Sequence, residues 1–428
     1  MDKKVLIITY YWPPAGGPGV QRWLKFVKYL PQYGIKPIVY IPKKPNYPIY
    51  DYSLNNDLSL PPETLEQPII EISNFLPKFG SIDSIRSGNV SVPNKQSLFQ
   101  KILFFFRGNL FIPDMKIFWK KKSINFLHDY LSRNKIDVVI TTGPPHSLHL
   151  IGLGLKRKMN IKWIADFRDP WVNLNYLNRF HLLPFVKKQH KIMRNSVLCQ
   201  ADSVIVTSEN LKKLYKKITP NVYKITNGFD YEYADINSNS KFIISHIGSL
   251  YNERNPLLLW DILEELCSKV KRFKDNFQLN LIGNTSEKIK HLLRDRNFNS
   301  NIKYIDYVPS NKAIKHMFFS EALLMVESNE IESSYAIPAK LFDYMGSNRP
   351  IIAIGPENSE VKDILSETKS GKYFSHQDSS SLKSYILDLY KAFENGSIST
   401  NSKDVDKYSR KNLTRSLSAL INEVILKK

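Results

Sequence analysis

Short, wholly apolar runs alternate with amphipathic stretches along the first half of the chain. The stretch Val20–Tyr33 places Leu24, Val27 and Leu30 on one side at helical spacing, which predicts a helix with one buried face. Apolar runs too short for a helix predict buried strands. These runs are Val5–Thr9, Pro37–Ile41, Val138–Thr142, Trp163–Phe167 and Ser203–Thr207. Strands and helices in alternation predict an α/β domain with a parallel sheet covered on both faces.

The same alternation begins again near residue 241. A helical stretch, Pro256–Arg272, separates further buried runs and predicts a second domain of the same kind. The runs are Ile243–Ile247, Leu279–Ile282, Leu323–Val326 and Ile351–Ile354. We place the domains at residues 1–235 and 236–402, followed by a C-terminal helix in 403–428 that is expected to cross back to the first domain. Two doubly wound domains facing a cleft bind ligands beyond the carboxyl ends of their strands.

The composition is ordinary for a globular protein except in its charge. Of 428 residues, 42% are hydrophobic and 24% charged, but the formal net charge is +21 and the pI is about 9.6. Such an excess of basic residues implies an anionic partner: nucleic acid, an acidic lipid surface or a phosphorylated substrate. Cys199 and Cys267 match neither a metal-site spacing nor a disulfide framework, which favours a reducing, cytoplasmic compartment.

Glycines crowd the turn between the first strand and the first helix. Gly16, Gly17 and Gly19 lie where backbone amides and a helix N-terminus can approach a phosphate or a sugar closely. The spacing lacks the full G-x-G-x-x-G pattern, so it gives little support to a dinucleotide site. The alternative is a tight turn that binds nothing.

Two further strand ends in the first half carry polar residues. The segment Thr141–His146 places His146 where it can donate to a sugar hydroxyl or a phosphate, unless it only caps the next helix. In the segment Asp166–Trp171, Arg168 stands between two carboxylates and can hold a phosphate in bidentate fashion. Asp169 can accept a proton from an attacking hydroxyl. The alternative for this segment is an ion pair that orders a loop.

Polar residues also follow strands in the second half. Gly248 and Ser249 open the loop after its first strand, and Arg254 precedes a helix, where it can neutralise a diphosphate leaving group. The alternative is a solvated surface arginine. Lys340 and Asp343 lie one helical turn apart, and a carboxylate at a helix start can accept both ribose hydroxyls. The alternative for this pair is a Lys–Asp contact on a helix surface.

Taken together, the segments TGPPHS, DFRDPW and PAKLFDY resemble those of the retaining GT-B glycosyltransferases of family 4, also called group 1, that act in bacterial surface-polysaccharide synthesis. The resemblance covers the chain from Ile7 to about Leu389. It implies a GT-B fold of two Rossmann-like domains and a nucleotide-diphosphate sugar as the donor substrate. It also implies that no metal or other cofactor is needed, because arginine, lysine and helix dipoles replace the cation.

The resemblance implies roles for the first-domain residues. The turn from Gly16 to Gly19 would contact the donor phosphate or the acceptor. Relatives carry a His-Asp pair after a middle strand, and in this chain Arg168 stands in the place of the histidine while Asp169 remains.

In the second domain the resemblance implies a site for the diphosphate and the ribose, but several residues of this chain differ from those of the family. Relatives hold the diphosphate with an arginine and a lysine, and here those places are taken by Ser249 and Arg254. Relatives also carry two glutamates separated by seven residues, the second of which binds the ribose. In this chain Tyr335 stands at the position of the first glutamate and Asp343 at that of the second, so the identity of the donor sugar cannot be carried over.

The basic excess has a candidate location in Phe99–Lys122, where aromatic and basic residues interleave. This pattern is typical of an interfacial segment on an anionic membrane, and a second basic stretch runs from Lys187 to Arg194. The alternative is a core helix with a solvated basic end. Aromatic residues beside lysines can also stack on bases, but none of the usual nucleic-acid motifs occurs.

We therefore expect a metal-independent hexosyltransferase that retains anomeric configuration. Its acceptor would be a lipid-linked saccharide, which would bring a cytoplasmic protein to the inner face of the plasma membrane. Two rivals remain open. One is a nucleotide-sugar 2-epimerase of the same fold, and the other is a non-catalytic nucleotide-sugar-binding partner.

Overall fold

The computed structural model describes residues 3–57, 61–69, 98–172, 180–230, 239–329, 334–398 and 400–427. The chain divides into two compact units. The first comprises Met1–Thr226 together with Arg410–Lys428, and the second comprises Asn227–Ser409. The boundary predicted after residue 235 falls within residues 231–238, which lie outside the described part of the chain.

The first unit is built on a parallel sheet. Its strands are β1 (Lys3–Ile8), β2 (Ile35–Lys43), β3 (Glu63–Pro68), β4 (Val138–Gly143), β5 (Trp163–Phe167), β6 (Ser203–Val206) and β7 (Val222–Lys224). The seven strands lie in the order β3-β2-β1-β4-β5-β6-β7. In the centre, Ile7 pairs with Val39 on one side and with Ile140 on the other. β4, β5 and β6 are buried at every position, as expected of parallel strands covered on both faces.

Helices connect these strands. They are α1 (Pro18–Tyr29), α2 (Leu98–Leu110), α3 (Trp119–Arg133), α4 (Ser147–Met159), α5 (Pro184–Gln200) and α6 (Glu209–Lys216). The helix predicted over Val20–Tyr33 is an α-helix that closes in a 3₁₀ turn, Leu30–Tyr33. Gly34 ends the turn with φ of 68°, a left-handed conformation that glycine adopts without a steric penalty.

The second unit repeats the arrangement with six strands. They are β8 (Phe242–Ile247), β9 (Phe277–Ile282), β10 (Ile302–Ile305), β11 (Ala322–Val326), β12 (Ile351–Gly355) and β13 (Gly371–Ser375). The order is β10-β9-β8-β11-β12-β13, and all neighbours are parallel. Alternate residues of β11 face opposite sides, so Leu324 joins one apolar core and Leu323 joins the other.

The helices of the second unit are α7 (Leu257–Lys269), α8 (Phe273–Asn276), α9 (Glu287–Arg294), α10 (Ser310–Phe318), α11 (Ala339–Gly346), α12 (Glu360–Thr368) and α13 (Ser379–Glu394). The helix predicted over Pro256–Arg272 is α7, which ends at Lys269, three residues earlier than predicted. Arg272 has φ of 63°, a conformation that no α-helix contains, and it separates α7 from α8.

The last helix, α14 (Arg410–Leu426), belongs to the first unit although it follows the second in sequence. It begins later than predicted because Val405–Tyr408 forms a separate 3₁₀ turn. Leu417, Ile421 and Val424 are fully buried in the apolar core of the first unit. The first unit is therefore made from both ends of the chain.

Candidate active site

Gly16, Gly17 and Gly19 form the turn that joins β1 to α1. Gly17 immediately precedes the helix and has φ of 97°, a conformation that favours glycine. A Cβ atom on Gly19 would lie 2.1 Å from Nη1 of Arg168. The missing side chain therefore lets the guanidinium lie against the backbone at the start of α1, and the structure brings these two predicted site elements together.

Arg168 follows β5 and is tied to the loop after β4. Its backbone N–H donates to the carbonyl of Gly143 at 3.0 Å, its Nε donates to the same carbonyl at 3.3 Å, and Nη2 donates to the carbonyl of Pro144. Burial lowers the pKa of the guanidinium, and the charges of Asp169 and Asp166 oppose this. No described residue forms an ion pair with Arg168. The guanidinium is thus a positioned cation whose bonds go to neutral carbonyls.

Asp169 lies next in the chain and is partly exposed. Burial raises the pKa of its carboxyl, Arg168 counteracts the rise and Asp166 adds to it. Within the described ranges, no residue donates a hydrogen bond to this carboxylate. A reachable carboxylate with a raised pKa has the properties of a general base.

Asp166 is a structural residue and does not pair with Arg168. Both of its oxygens bind Arg22, with Nη2 at 2.9 Å from Oδ1 and Nε at 3.3 Å from Oδ2. Trp23 Nε1 and Thr142 Oγ1 also donate to Oδ2, each at 2.8 Å. Arg22 and Asp166 are both fully buried. The interpretation of two carboxylates around one arginine is therefore replaced by a buried ion pair of Arg22 and Asp166, beside which Arg168 and Asp169 are partly exposed and form no ion pair with each other.

His146 lies at the carboxyl end of β4, as predicted, but inside the fold. Its ring stacks on Trp171, with 5.0 Å between the ring centroids and 7° between the planes. Both ring nitrogens are buried, and neither has a hydrogen-bond partner among the described residues. Burial, followed by the charge of His149, lowers the pKa of His146 well below its usual value. The ring is neutral at pH 7 and packs behind the segment that carries Asp169.

Two further histidines, which lie close to His146 or Trp171, were not predicted from the sequence. His149 stacks on Phe167 with 4.3 Å between centroids, and burial, with Arg168, lowers its pKa to about 3. His190 accepts a hydrogen bond from Trp171 Nε1 at 3.2 Å. The only sequence signal for His149 was its place one turn into the helix after a strand end.

In the second unit, the ammonium group of Lys340 lies over Gly248 at the carboxyl end of β8. A Cβ atom on Gly248, which has φ of 116°, would lie 3.1 Å from Lys340 Nζ. His246 Nδ1 donates to the carbonyl of Leu324 at 3.0 Å, so in the neutral ring Nε2 carries no proton and can accept. Lys340 Nζ donates to this Nε2 at 3.4 Å. Burial, followed by the charge of Arg254, lowers the pKa of Lys340 to about 7.

The remaining predicted residues of the second unit lie in the loop after β8 and on α11. Arg254 closes a 3₁₀ turn, Asn252–Arg254, within electrostatic reach of Lys340. Ser249 follows Gly248, and its backbone also contacts His246. Asp343 is partly exposed and lies one turn after Lys340 on α11. No described residue forms an ion pair with either cation, so neither is neutralised by direct contact within the described part of the chain.

Glu327 is a further polar residue at this edge of the sheet that sequence reasoning missed. It follows β11 directly, and its Oε2 accepts from Ser359 Oγ at 2.6 Å and from Tyr373 Oη at 2.9 Å. Burial raises the pKa of Glu327, while the two hydroxyls and Arg254 lower it. Its position at a strand's carboxyl end was the available signal.

The described residues contain no group of three or more His, Cys, Asp or Glu side chains that could hold a metal ion. Within the same part of the chain, no helix is both long and apolar enough to cross a bilayer.

The two doubly wound units define the GT-B fold. The chain is similar to sucrose-phosphate synthase from Thermosynechococcus elongatus, with a TM-score of 0.61, 11% identity and coverage of 99% of each chain. It is similar to Anabaena HepE in complex with UDP and glucose, with a TM-score of 0.61 and 11% identity, and the match covers 98% of this chain and 99% of HepE. It also resembles a putative UDP-N-acetylglucosamine 2-epimerase from Listeria monocytogenes, with a TM-score of 0.57 and 10% identity, and the match covers 100% of this chain and 98% of the other. No family model and no curated protein matches the chain.

Proposed function

We propose that the chain is a retaining glycosyltransferase that moves a hexose from a nucleotide-diphosphate sugar to a lipid-linked saccharide in surface polysaccharide synthesis. The observation that carries this proposal is the pair of cations, Lys340 and Arg254, at the carboxyl end of β8. Neither cation forms an ion pair with a described residue, and a diphosphate would supply the partner for both.

The second unit would hold the donor. Lys340 and Arg254 neutralise the diphosphate, and the backbone of Gly248 and Ser249 approaches it closely because Gly248 has no side chain. Asp343 accepts the ribose hydroxyls. Two cations at this position stabilise the charge that develops on the leaving diphosphate, so the transfer requires no metal ion or other cofactor.

The first unit would hold the acceptor. Arg168 and the turn from Gly16 to Gly19 bind polar groups of the saccharide, and Asp169 accepts the proton of the attacking hydroxyl. His146 acts as a positioning residue, because its stacked ring supports Trp171 in the segment that carries Asp169.

The acceptor's lipid would hold the protein at the anionic inner face of the plasma membrane. The helix α2, which overlaps the predicted segment Phe99–Lys122, supports this with an exposed apolar stripe at helical spacing. The stripe consists of Leu98, Phe99, Ile102, Phe106 and Leu110. On α5, Phe185 and Ile192 are exposed beside basic residues of the stretch from Lys187 to Arg194.

The fate of the donor tests the activity. The protein is incubated with UDP-glucose, UDP-N-acetylglucosamine or GDP-mannose, with and without polyprenyl-diphosphate-linked saccharides, and followed by proton NMR. We expect release of nucleoside diphosphate that depends on the acceptor, with the anomeric coupling of the donor kept in the product. Asp169→Asn should slow the transfer by about 10²- to 10⁴-fold.

The 2-epimerase remains the second candidate, because the Listeria monocytogenes structure of that description shares the fold. An epimerised nucleotide sugar that forms without acceptor would establish it and would replace the transferase proposal. A non-catalytic partner would bind the nucleotide sugar and leave it unchanged in both arms.

A further inference from the structure

A row of tyrosines lies beside the glycine turn of the first unit. The tyrosine strip consists of Tyr10, Tyr11, Tyr47, Tyr50 and Tyr52. Successive rings are close: the centroid distances are 5.0 Å for Tyr10–Tyr11, 5.9 Å for Tyr10–Tyr47, 5.9 Å for Tyr47–Tyr50 and 6.1 Å for Tyr50–Tyr52. The strip runs from buried rings to exposed ones, with Tyr50 42% and Tyr52 67% exposed.

The exposed end of the strip is fixed to the glycine turn. The N–H of Gly16 donates to the carbonyl of Ile49 at 2.9 Å, and the N–H of Asp51 donates to the carbonyl of Pro14 at 2.8 Å. Asp51 also accepts from the backbone N–H and the hydroxyl of Ser53. These bonds order the segment that carries Tyr50 and Tyr52, so a ligand that stacks there meets a pre-organised surface.

The glycine turn connects the strip to Arg168. The same turn that pairs with the tyrosine segment at Gly16 contacts the guanidinium of Arg168 at Gly19. Tyr11 lies within electrostatic reach of Arg168. A saccharide stacked on the exposed rings of Tyr50 and Tyr52 would therefore lie beside the turn that contacts Arg168, which precedes the proposed base Asp169.

We propose that the tyrosine strip binds the saccharide chain of the acceptor, with Tyr50 and Tyr52 stacked against successive sugar rings. This inference rests on the proposed function, because it assigns the strip to the acceptor of that reaction. The rings of Tyr50 and Tyr52 are both exposed, and their planes differ by only 15°, so their faces are nearly parallel. Tyrosine combines an apolar face with a hydroxyl, which suits the C–H faces and hydroxyl rims of sugars. The bilayer is a less suitable occupant, because its aliphatic contacts are provided by α2.

The test measures binding of fluorescently labelled full-length protein to an array of immobilised oligosaccharides of glucose, galactose, mannose and N-acetylhexosamines. Tyr52→Ala should weaken binding about three- to tenfold, whereas Tyr52→Phe should keep it. Tyr304→Ala is the matched control, because Tyr304 is 40% exposed on the second unit. Equal binding by wild type and Tyr52→Ala would overturn the proposal, and so would an absence of wild-type binding to every oligosaccharide.

A separate arm distinguishes this inference from the proposed function. The rise in Tm caused by UDP or GDP reports the donor site and should be the same for wild type and Tyr52→Ala. Loss of that rise in the wild type would contradict the transferase, while glycan binding that depends on Tyr52 would still support the strip. Anionic vesicles, offered as a third ligand, should bind both proteins equally. Weaker vesicle binding by Tyr52→Ala would assign the strip to the membrane and overturn the proposal.

Discussion

Lys340 Nζ lies 3.4 Å from Nε2 of His246, and that nitrogen carries no proton, because Nδ1 of the same ring donates to the carbonyl of Leu324 at 3.0 Å. The ammonium group is therefore held by a neutral acceptor, with a second cation, Arg254, nearby. Burial and that charge lower the pKa of Lys340 to about 7. Neither Lys340 nor Arg254 forms an ion pair with a described residue, so both can pair with a bound anion.

Donor binding should take up a proton. Lys340 loses its proton as the pH rises through about 7, but a bound diphosphate favours the charged form and raises the pKa. The Kd for UDP should therefore rise by up to about tenfold per pH unit above pH 7. Calorimetry at pH 8 in HEPES and in Tris should give binding heats that differ with the ionisation heat of the buffer. Equal heats would show that no proton is taken up.

Replacing Lys340 by methionine should stabilise the fold while removing donor binding. In the wild type, folding lowers the pKa of Lys340 from 10.5 to about 7. Between these two pH values the unfolded chain binds more protons than the folded one, so the free energy of unfolding of the wild type rises with pH. Thermal melts should give Lys340→Met a higher Tm than wild type at pH 7, with a difference that shrinks towards pH 10. Lys290→Met, at a surface ion pair with Glu287, should change neither Tm nor UDP binding appreciably.

Asp166→Ala should destabilise the first unit by about 3–5 kcal/mol, because it leaves the fully buried Arg22 without its counter-charge. The control is Lys269→Ala, which breaks an exposed pair with Glu265 and should cost less than about 1 kcal/mol. Urea unfolding measures both. If Asp166→Ala lowered the free energy of unfolding by no more than the control, the buried pair of Arg22 and Asp166 would not stabilise the first unit.

Gly19→Ala should reduce transfer with little effect on stability. The new Cβ would meet the flexible end of Arg168, which can move away at low cost but then leaves its position. Gly396→Ala should do the opposite. Nothing lies within 4 Å of its Cβ, but its φ of 63° strains an alanine by about 1 kcal/mol. Paired activity and Tm measurements would contradict the assignment if Gly19→Ala transferred sugar at the wild-type rate.

Phe106→Glu should weaken binding to phosphatidylcholine–phosphatidylglycerol vesicles about tenfold, because it places a charge in the apolar stripe of α2. Phe319→Glu is a matched control, since both phenylalanines are 51% exposed and Phe319 lies in the second unit. Co-sedimentation at low salt measures both. Equal binding by the two variants would remove α2 from the membrane contact.

The architecture could be predicted from the sequence because parallel strands buried on both faces read as unbroken apolar runs. β4, β5 and β12 were predicted nearly to their ends for this reason. The end of α7 at Lys269 could not be predicted to the residue, because the chain leaves the helix before Arg272, whose left-handed conformation its side chain does not indicate.

The candidate sites were predictable only as far as strand ends indicate them. Lys340, Arg254 and Gly248 were predicted as site residues because each stands next to a predicted strand or helix start, and the structure places Lys340 beside Gly248 and within electrostatic reach of Arg254. The partner of Asp166 was not predicted, because Arg22 lies in α1, 144 residues away in sequence, and only tertiary packing brings the two together. The burial of His146 was equally hidden, since it depends on the ring of Trp171.

The central claim is that Lys340 and Arg254 bind a nucleoside diphosphate, and a thermal-shift panel tests it most directly. UDP, GDP, ADP, CDP and dTDP, each alone and as a sugar conjugate, are added to the wild type and to Arg254→Ala. At a concentration of about 100 Kd, the matching nucleotide should stabilise the wild type by about 2.7 kcal/mol, seen as a higher Tm. The same nucleotide should leave Arg254→Ala nearly unchanged. A wild-type Tm that no nucleotide raises, or an equal rise in Arg254→Ala, would contradict the account.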